Sequence, residues 1–503
     1  MKTIAYFCGA GAECGYGLPS GGKFALDMFR QDVNVDKETF RWRRDLINKN
    51  SSYAKYWLPD DYLKKMISSF GRSSYDSLIK GSVENRSGKF LDFFNRFDSN
   101  VEGIVHSFHC SGIDIRKMIE DKIGEKIGDT NYMHSIKLSP AFSSANKIFS
   151  SDWFSALLTL YQCNHIQNSL KKHLNRTIKS LLELVLGASG GDFVRSINES
   201  VFEETIETID IFDDIGGILQ IDYKNAGSDA LDYIVSYGKI ELDASKSEED
   251  IIKDFCASII EEIISQVLDY QELIDSNWRY LYSPKYNWAR FCKMFVFLYT
   301  AQRYIRDIAK KCEKNFKNGP GYYHDIKNLD TVYERIAVGT TNYNKFARDI
   351  LGKVYYLNGC VEDIYDPYCN AIVKENYTEH FTVPFMFTQS GIKPLTSIDM
   401  SRRYVELFDY FKAADYVVVI GFGFNGDDGH INGIFRTLIE EEKDIYILHY
   451  TNCELEEWKV KREYQEKLRV TDDGHIHIIQ VNGKREEIRT GELWSEYVKK
   501  ILV

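Results

Sequence analysis

Four stretches of this chain set glycine beside small or polar side chains in a way that could do chemistry. Gly9-Ala10-Gly11 breaks the apolar run Ile4-Ala5-Tyr6-Phe7 almost at the first residue. A first glycine there makes a tight turn and a second lets a phosphate approach the backbone, so the pattern predicts a phosphate-binding loop. The loop runs on through Glu13, Gly15, Gly17, Pro19, Ser20 and Gly21 instead of supplying the third glycine of a dinucleotide fingerprint. That predicts a long cover over the site and a geometry unlike that of a hydride-transferring dehydrogenase. The other three stretches are Thr340-Thr341-Asn342-Tyr343-Asn344, Asn358-Gly359-Cys360 and Gly421-Phe422-Gly423-Phe424-Asn425-Gly426-Asp427-Asp428. Singly, each reads as a turn or a helix cap.

Their meaning comes from what precedes them. Residues 335–339, 353–357, 416–420, 445–448 and 476–479 are short runs rich in Val, Ile and Tyr, the pattern of parallel strands buried on both faces. With residues 3–8 they predict one sheet, and the four polar stretches then follow four of its strands. Open α/β sheets bind ligands at the carboxyl ends of their strands, so the four should gather at one end. Between residues 35 and 329 the character is helical, with apolar stripes over residues 152–186, 249–274 and 289–312 that read as bundle core. Ile218 to Tyr223 and Tyr233-Ile234-Val235 form a β-like island inside it. The expected architecture is an α/β, Rossmann-like parallel sheet built from residues 1–34 and 330–503, interrupted by a large, mainly α-helical insertion domain over residues 35–329.

Composition narrows the function classes. The chain has 503 residues, 44% apolar and 27% charged, as in ordinary globular proteins. No apolar run approaches the roughly 18 residues of a membrane span, and residues 1–8 lack the basic start and cleavage site of a signal peptide, so a cytoplasmic protein without membrane contact is expected. A net charge of −11 with dispersed Lys-Arg pairs argues against direct nucleic-acid binding. Ten cysteines contain no Cys-x-x-Cys and no paired Cys/His spacing, so no metal is expected and the thiols read as small hydrophobes.

Taken in order, the motifs resemble the sirtuin-like NAD-consuming domain, in particular the bacterial branch of anti-phage defence systems. The family pattern Gly-Ala-Gly-x-Ser-x-x-x-Gly-Ile-Pro is matched by Gly9, Ala10, Gly11, Gly17, Leu18 and Pro19, with Glu13 where serine is usual. Thr-Thr-Asn-Tyr-Asp is matched by Thr340 to Tyr343, with Asn344 for the aspartate, and Gly-Phe-Ser-Phe-x-x-x-Asp by Gly421 to Phe424 with Asp427 or Asp428. The resemblance covers residues 1–30 and about 330–450. It implies an enzyme that cleaves the nicotinamide–ribose bond of NAD to release nicotinamide and ADP-ribose, with NAD as substrate and no metal. Asn342 would place water beside the ribose, the glycines would cradle phosphates through backbone N–H groups, Thr340 would bond a phosphate or ribose hydroxyl, and Asp427 or Asp428 would hold a ribose.

Two departures qualify that expectation. The histidine of the family's Leu-His-Gly motif, its general base, is replaced in Leu357-Asn358-Gly359. Asparagine takes no proton near neutral pH, so Asn358 can orient a ribose but not act as base, which leaves His430 or His324 as replacements. The zinc ribbon of the deacylases and the Phe-Arg after the proline are missing, with Ser20 and Gly21 in place of the latter, which disfavours protein deacylation. The resemblance thus implies an NAD-hydrolysing effector of abortive infection, silent until triggered. The insertion, in a chain with 33 Tyr and 30 Phe, is expected to serve a homo-oligomer or a hetero-complex with another defence protein. Two other readings stay open: a sensor or scaffold that binds NAD or an ADP-ribose-type nucleotide without turnover, and a base-exchange or cyclising enzyme on the same substrate.

Overall fold

The computed structural model describes residues 1–19, 21–129, 147–190, 208–209, 221–222, 227–268, 270–374, 377–386 and 397–502. The chain divides into two compact units, one of Met1–Gly21, Gln31–Ser69 and Gln271–Val503, the other of Gly22–Arg30 and Phe70–Tyr270.

The first unit is an α/β fold of Rossmann-like type. Its strands, in chain order, are β1 (Thr3–Cys8), β2 (Glu334–Thr340), β3 (Tyr355–Tyr356), β4 (Gly359–Asp366), β5 (Ala371–Val373), β6 (Val383–Met386), β7 (Tyr416–Ile420), β8 (Ile445–Tyr450) and β9 (Ile476–Val481). Six of them make one wholly parallel sheet in the order β9-β8-β7-β1-β2-β3. The N-terminal strand lies inside, with Tyr6 opposite Val338 on one side and Val418 on the other. Ile4 to Cys8 are buried because both faces are covered. Tyr6 belongs to a core with Tyr323 and Trp494. On the other face Phe7 meets Phe411 and Phe435 edge-on, at 6.3 and 5.2 Å between ring centres.

The strand order turns round at β1. From there β2 and β3 run to one side and β7, β8 and β9 to the other, so the crevice between the carboxyl ends of β1 and β7 is the topological switch point. Five of the six expected strands match closely, while the run 353–357 contracts to Tyr355–Tyr356.

Strands β4, β5 and β6 form a separate three-stranded antiparallel sheet that the sequence reading did not foresee. Its edge strand β6 contains Pro384 and its other edge, β5, is half-exposed, so neither shows an alternating pattern. Among the helices of this unit are α1 (Asn34–Leu46) and α2 (Trp288–Asn318). Phe40 on α1 packs 4.7 Å from Phe295 on α2 and 4.8 Å from Phe381. The Thr300 hydroxyl and Arg303 bond the buried Asp36, and the Gln302 amide donates to the Val361 carbonyl at 2.7 Å. These contacts place residues 31–69 and 271–329 with the sheet, so the units divide the chain at other points than 34 and 330.

The second unit is helical among its described residues, apart from the short antiparallel pair Thr208–Ile209 and Ile221–Asp222. The stripe over 152–186 is realised as two helices, Asp152–Gln162 and Asn168–Ser189. Tyr233-Ile234-Val235 is not strand but part of the helix Ser228–Tyr237, because Ala230, Leu231, Tyr233 and Ile234 bury one helical face and tertiary packing overrides β-propensity. Residues 218–220 and 223 lie outside the described residues. Among those described, no helix is long and apolar enough to cross a membrane.

Candidate functional site

The loops after β1, β2 and β7 converge. The Gly9 N–H donates to the Ile420 carbonyl and the Gly11 N–H to the Gly421 carbonyl, both at 2.9 Å. A Cβ on Gly9 would lie 2.5 Å from the Gly421 oxygen, and one on Gly11 would lie 2.8 Å from the Gly421 Cα. Gly421 has φ +64°, and a Cβ there would stand 2.2 Å from the Ala12 nitrogen. All three glycines are therefore required by the close approach of two loops. The Gly9 and Gly11 N–H groups are thus engaged within the protein, and those of Ala12 and Glu13 bond the Gly9 and Ala10 carbonyls.

Asn342 joins the loop after β2 to the loop after β1. The Thr341 N–H and the Thr340 hydroxyl both donate to the Cys8 carbonyl, at 3.1 and 2.8 Å, and the Thr340 oxygen accepts the Asn342 N–H at 3.0 Å. With its backbone so fixed, the Asn342 amide donates to the Gly9 carbonyl and to the Tyr323 hydroxyl, each at 3.0 Å. Asn342 is 6% exposed, and its carbonyl oxygen remains as the acceptor that could address a ligand.

Behind Asn342 stands a buried acid. The Tyr323 hydroxyl, from helix α3 (Tyr322–Leu329), donates to Glu13 Oε1 at 2.7 Å, and the Asn344 amide bonds the other carboxyl oxygen. Glu13 is 3% exposed. Burial pushes its carboxyl up to about 7, and the hydrogen bonds from Tyr323 and Asn344, with the nearby Asn342 amide, only partly oppose that. The phenol of Tyr323 is itself driven well above its usual range by burial and by the Glu13 charge. Glu13, expected to touch the nucleotide, instead supports Asn342 from within, and Tyr323 and Asn344 complete a chain that sequence reasoning missed. A phenol 310 residues from its carboxylate leaves no local signal.

The loop after β3 adds a second group. The Leu357 N–H donates to the Thr340 carbonyl, and the Leu357 carbonyl accepts the Tyr404 hydroxyl, both at 2.9 Å. Asn358, next in sequence, is 5% exposed, and its side-chain oxygen has no hydrogen-bond partner among the described residues. The Tyr404 ring lies 5.6 Å from the His430 ring, and burial together with the Asp428 charge raises the Tyr404 phenol. His430 and Asp428 are thus brought to the neighbourhood of Leu357-Asn358 through Tyr404. His324 stands apart from that group: its Nδ1 meets the Tyr16 hydroxyl at 3.1 Å, and burial lowers its basicity.

The remaining expected residues divide by environment. Ala10 and Gly423 are exposed and Thr341 is half-buried. Phe422 turns inward, its ring 5.0 Å from Phe7. Asp427 lies in the single turn Gly426–Asp428.

One further group of side chains could hold a metal. Asp366, Cys369 and His380 bring a carboxylate oxygen, a thiol and an imidazole nitrogen within 4.8 Å of one another. Cys369 and His380 stand 11 residues apart, outside the short Cys and His spacings that mark a metal motif, so the group leaves no local signal.

The comparisons leave the chain's family open: no family profile, no curated protein and no solved structure matches it.

Proposed function

We propose that the sheet-bearing unit is a sirtuin-like NAD-cleaving enzyme, an NAD glycohydrolase that acts as an abortive-infection effector of anti-phage defence. The observation that carries this reading is the Asn342 amide, locked between the Gly9 carbonyl and the Tyr323 hydroxyl beside the switch point of a parallel sheet. The nicotinamide–ribose bond breaks through an oxocarbenium-like state, which gains most from a rigid polar group beside the sugar. Both Asn342 amide hydrogens are engaged, so its carbonyl oxygen is oriented in advance to hold water or a ribose hydroxyl. The Glu13–Tyr323 pair keeps it so without itself meeting the substrate.

The test is incubation of the full chain with NAD, with nicotinamide and ADP-ribose measured as products. Wild type releases both, alone or with the partner protein that triggers it, and Asn342→Ala releases neither under the same condition. Because Asn342 also ties two loops together, the variant's melting temperature is recorded alongside; a folded variant without activity supports the reading, and a folded variant with full activity overturns it.

A second reading, a nucleotide sensor that binds without turnover, is favoured by Asn358. A buried amide oxygen without a partner suits a ribose hydroxyl as donor, and an amide accepts no proton near neutral pH. NAD binding with no nicotinamide release, in wild type alone and with its partners, selects the sensor.

A further inference from the structure

We infer that Asp366, Cys369 and His380 form a binding site for a divalent zinc-type cation, built on the small antiparallel sheet rather than on the parallel one. Asp366 ends β4 and is fully buried. Its Oδ1 accepts the backbone N–H groups of Tyr368 and Cys369, at 2.8 and 3.3 Å, which fixes the turn that carries the cysteine. Its Oδ2 is thereby aimed at His380 Nδ1, 2.7 Å away. Among the described residues His380 is the one basic side chain within ion-pair distance of this carboxylate.

Three groups converge on His380 Nδ1: the Asp366 carboxylate, the Tyr377 hydroxyl at 3.1 Å and Cys369 Sγ at 3.8 Å. A ring nitrogen carries either one hydrogen or one lone pair, so it can bond only one of them well. A cation at the centre engages all of them at once. The ring is held for that purpose, stacked on Tyr53 at 4.1 Å and met by the edge of Tyr368 at 4.8 Å. Such bracing of a ligating imidazole, together with the backbone bonds to Asp366 Oδ1, is the outer support that metal sites require.

The donor set selects the metal. Thiolate, imidazole and carboxylate together suit zinc, while magnesium and calcium demand oxygen ligands. Tetrahedral zinc places such ligands roughly 3.3–3.6 Å apart. Binding therefore moves Asp366 and His380 slightly apart, draws Cys369 in, and releases the thiol proton to water. Three protein ligands leave a fourth position for the Tyr377 hydroxyl or water.

Cobalt(II) is the probe. The chelator-stripped full chain, titrated with cobalt(II), binds one equivalent at this site, with the visible absorption of a tetrahedral ion and a near-ultraviolet thiolate-to-cobalt band. Cys369→Ser, an exposed position, removes the thiolate band and weakens zinc binding at least tenfold. Cys453→Ser, an exposed cysteine of the same unit, changes neither. Zinc also slows alkylation of Cys369 in the unmutated chain, which needs no variant to fold. No cobalt chromophore in wild type, a thiolate band that survives Cys369→Ser, or unchanged alkylation with zinc overturns the site.

Discussion

Asn342 is held in place at the residue scale by an acid that never reaches the surface. Glu13 is charged only at a cost, because burial raises its carboxyl from an ordinary 4.5 to about 7. A raised carboxyl favours the folded state while protonated: its contribution is complete below about 4.5 and is lost as the pH rises through about 7. At about 1.4 kcal/mol per tenfold change in proton affinity, the loss is about 3 kcal/mol. Glu13→Gln does not titrate. Thermal unfolding followed from pH 4.5 to 8 therefore shows wild type losing stability relative to Glu13→Gln as the pH rises, and parallel curves for the two proteins would refute the assignment. The glutamate itself was legible in the sequence as part of the glycine loop, but its role was not. Its partners Tyr323 and Asn344 come from a helix and a loop more than 300 residues away, and only the closed fold shows that the side chain points inward.

Among the elements, the loops that follow β1 and β7 behave as one piece. Gly421 stands at φ +64° with its Cβ direction blocked by the Ala12 backbone 2.2 Å away. Alanine there meets the left-handed penalty of about 1–2 kcal/mol, and the clash forces the two loops apart. Gly421→Ala should therefore lower the melting temperature strongly and abolish the nucleotide binding proposed for this site. Gly433 provides the contrast. It lies inside the helix Gly429–Glu440 with open space about its Cβ direction, so Gly433→Ala should stabilise by about 0.5–1 kcal/mol. Similar melting temperatures for the two variants would show that the loop contact carries no weight. The parallel strands were legible because burial on both faces leaves unbroken apolar runs such as Tyr416 to Ile420. The antiparallel sheet of β4 to β6 was not, because a proline and half-exposed edges hide its period.

For the whole molecule, helix α3 ties the site to the far end of the chain. Asp325, two residues beyond Tyr323 and 3% exposed, accepts Arg485 Nε at 2.7 Å and the Trp494 indole N–H at 2.8 Å. Removing that carboxylate leaves a guanidinium and an indole without their acceptor, at a cost of about 3–5 kcal/mol. The chain has two compact units, so calorimetry should resolve more than one transition. Asp325→Ala should shift the transition of the sheet-bearing unit and leave that of the other in place. An unchanged profile would mean that the buried pair does not hold α3.

The sequence by itself determined the parallel sheet, the order of its strands along the chain and the four polar stretches that end them. Each of these is written in neighbouring residues, as an apolar run followed by a glycine, a threonine or an asparagine. The tertiary structure alone decided that the glycines serve loop-to-loop contact, that Glu13 backs Asn342 through Tyr323, that residues 31–69 and 271–329 belong with the sheet, and that Asp366, Cys369 and His380 meet. Those outcomes depend on which distant side chains share a desolvated space. Burial sets the charge of Glu13 and the direction of its bonds, and no local pattern of residues encodes burial between segments hundreds of residues apart.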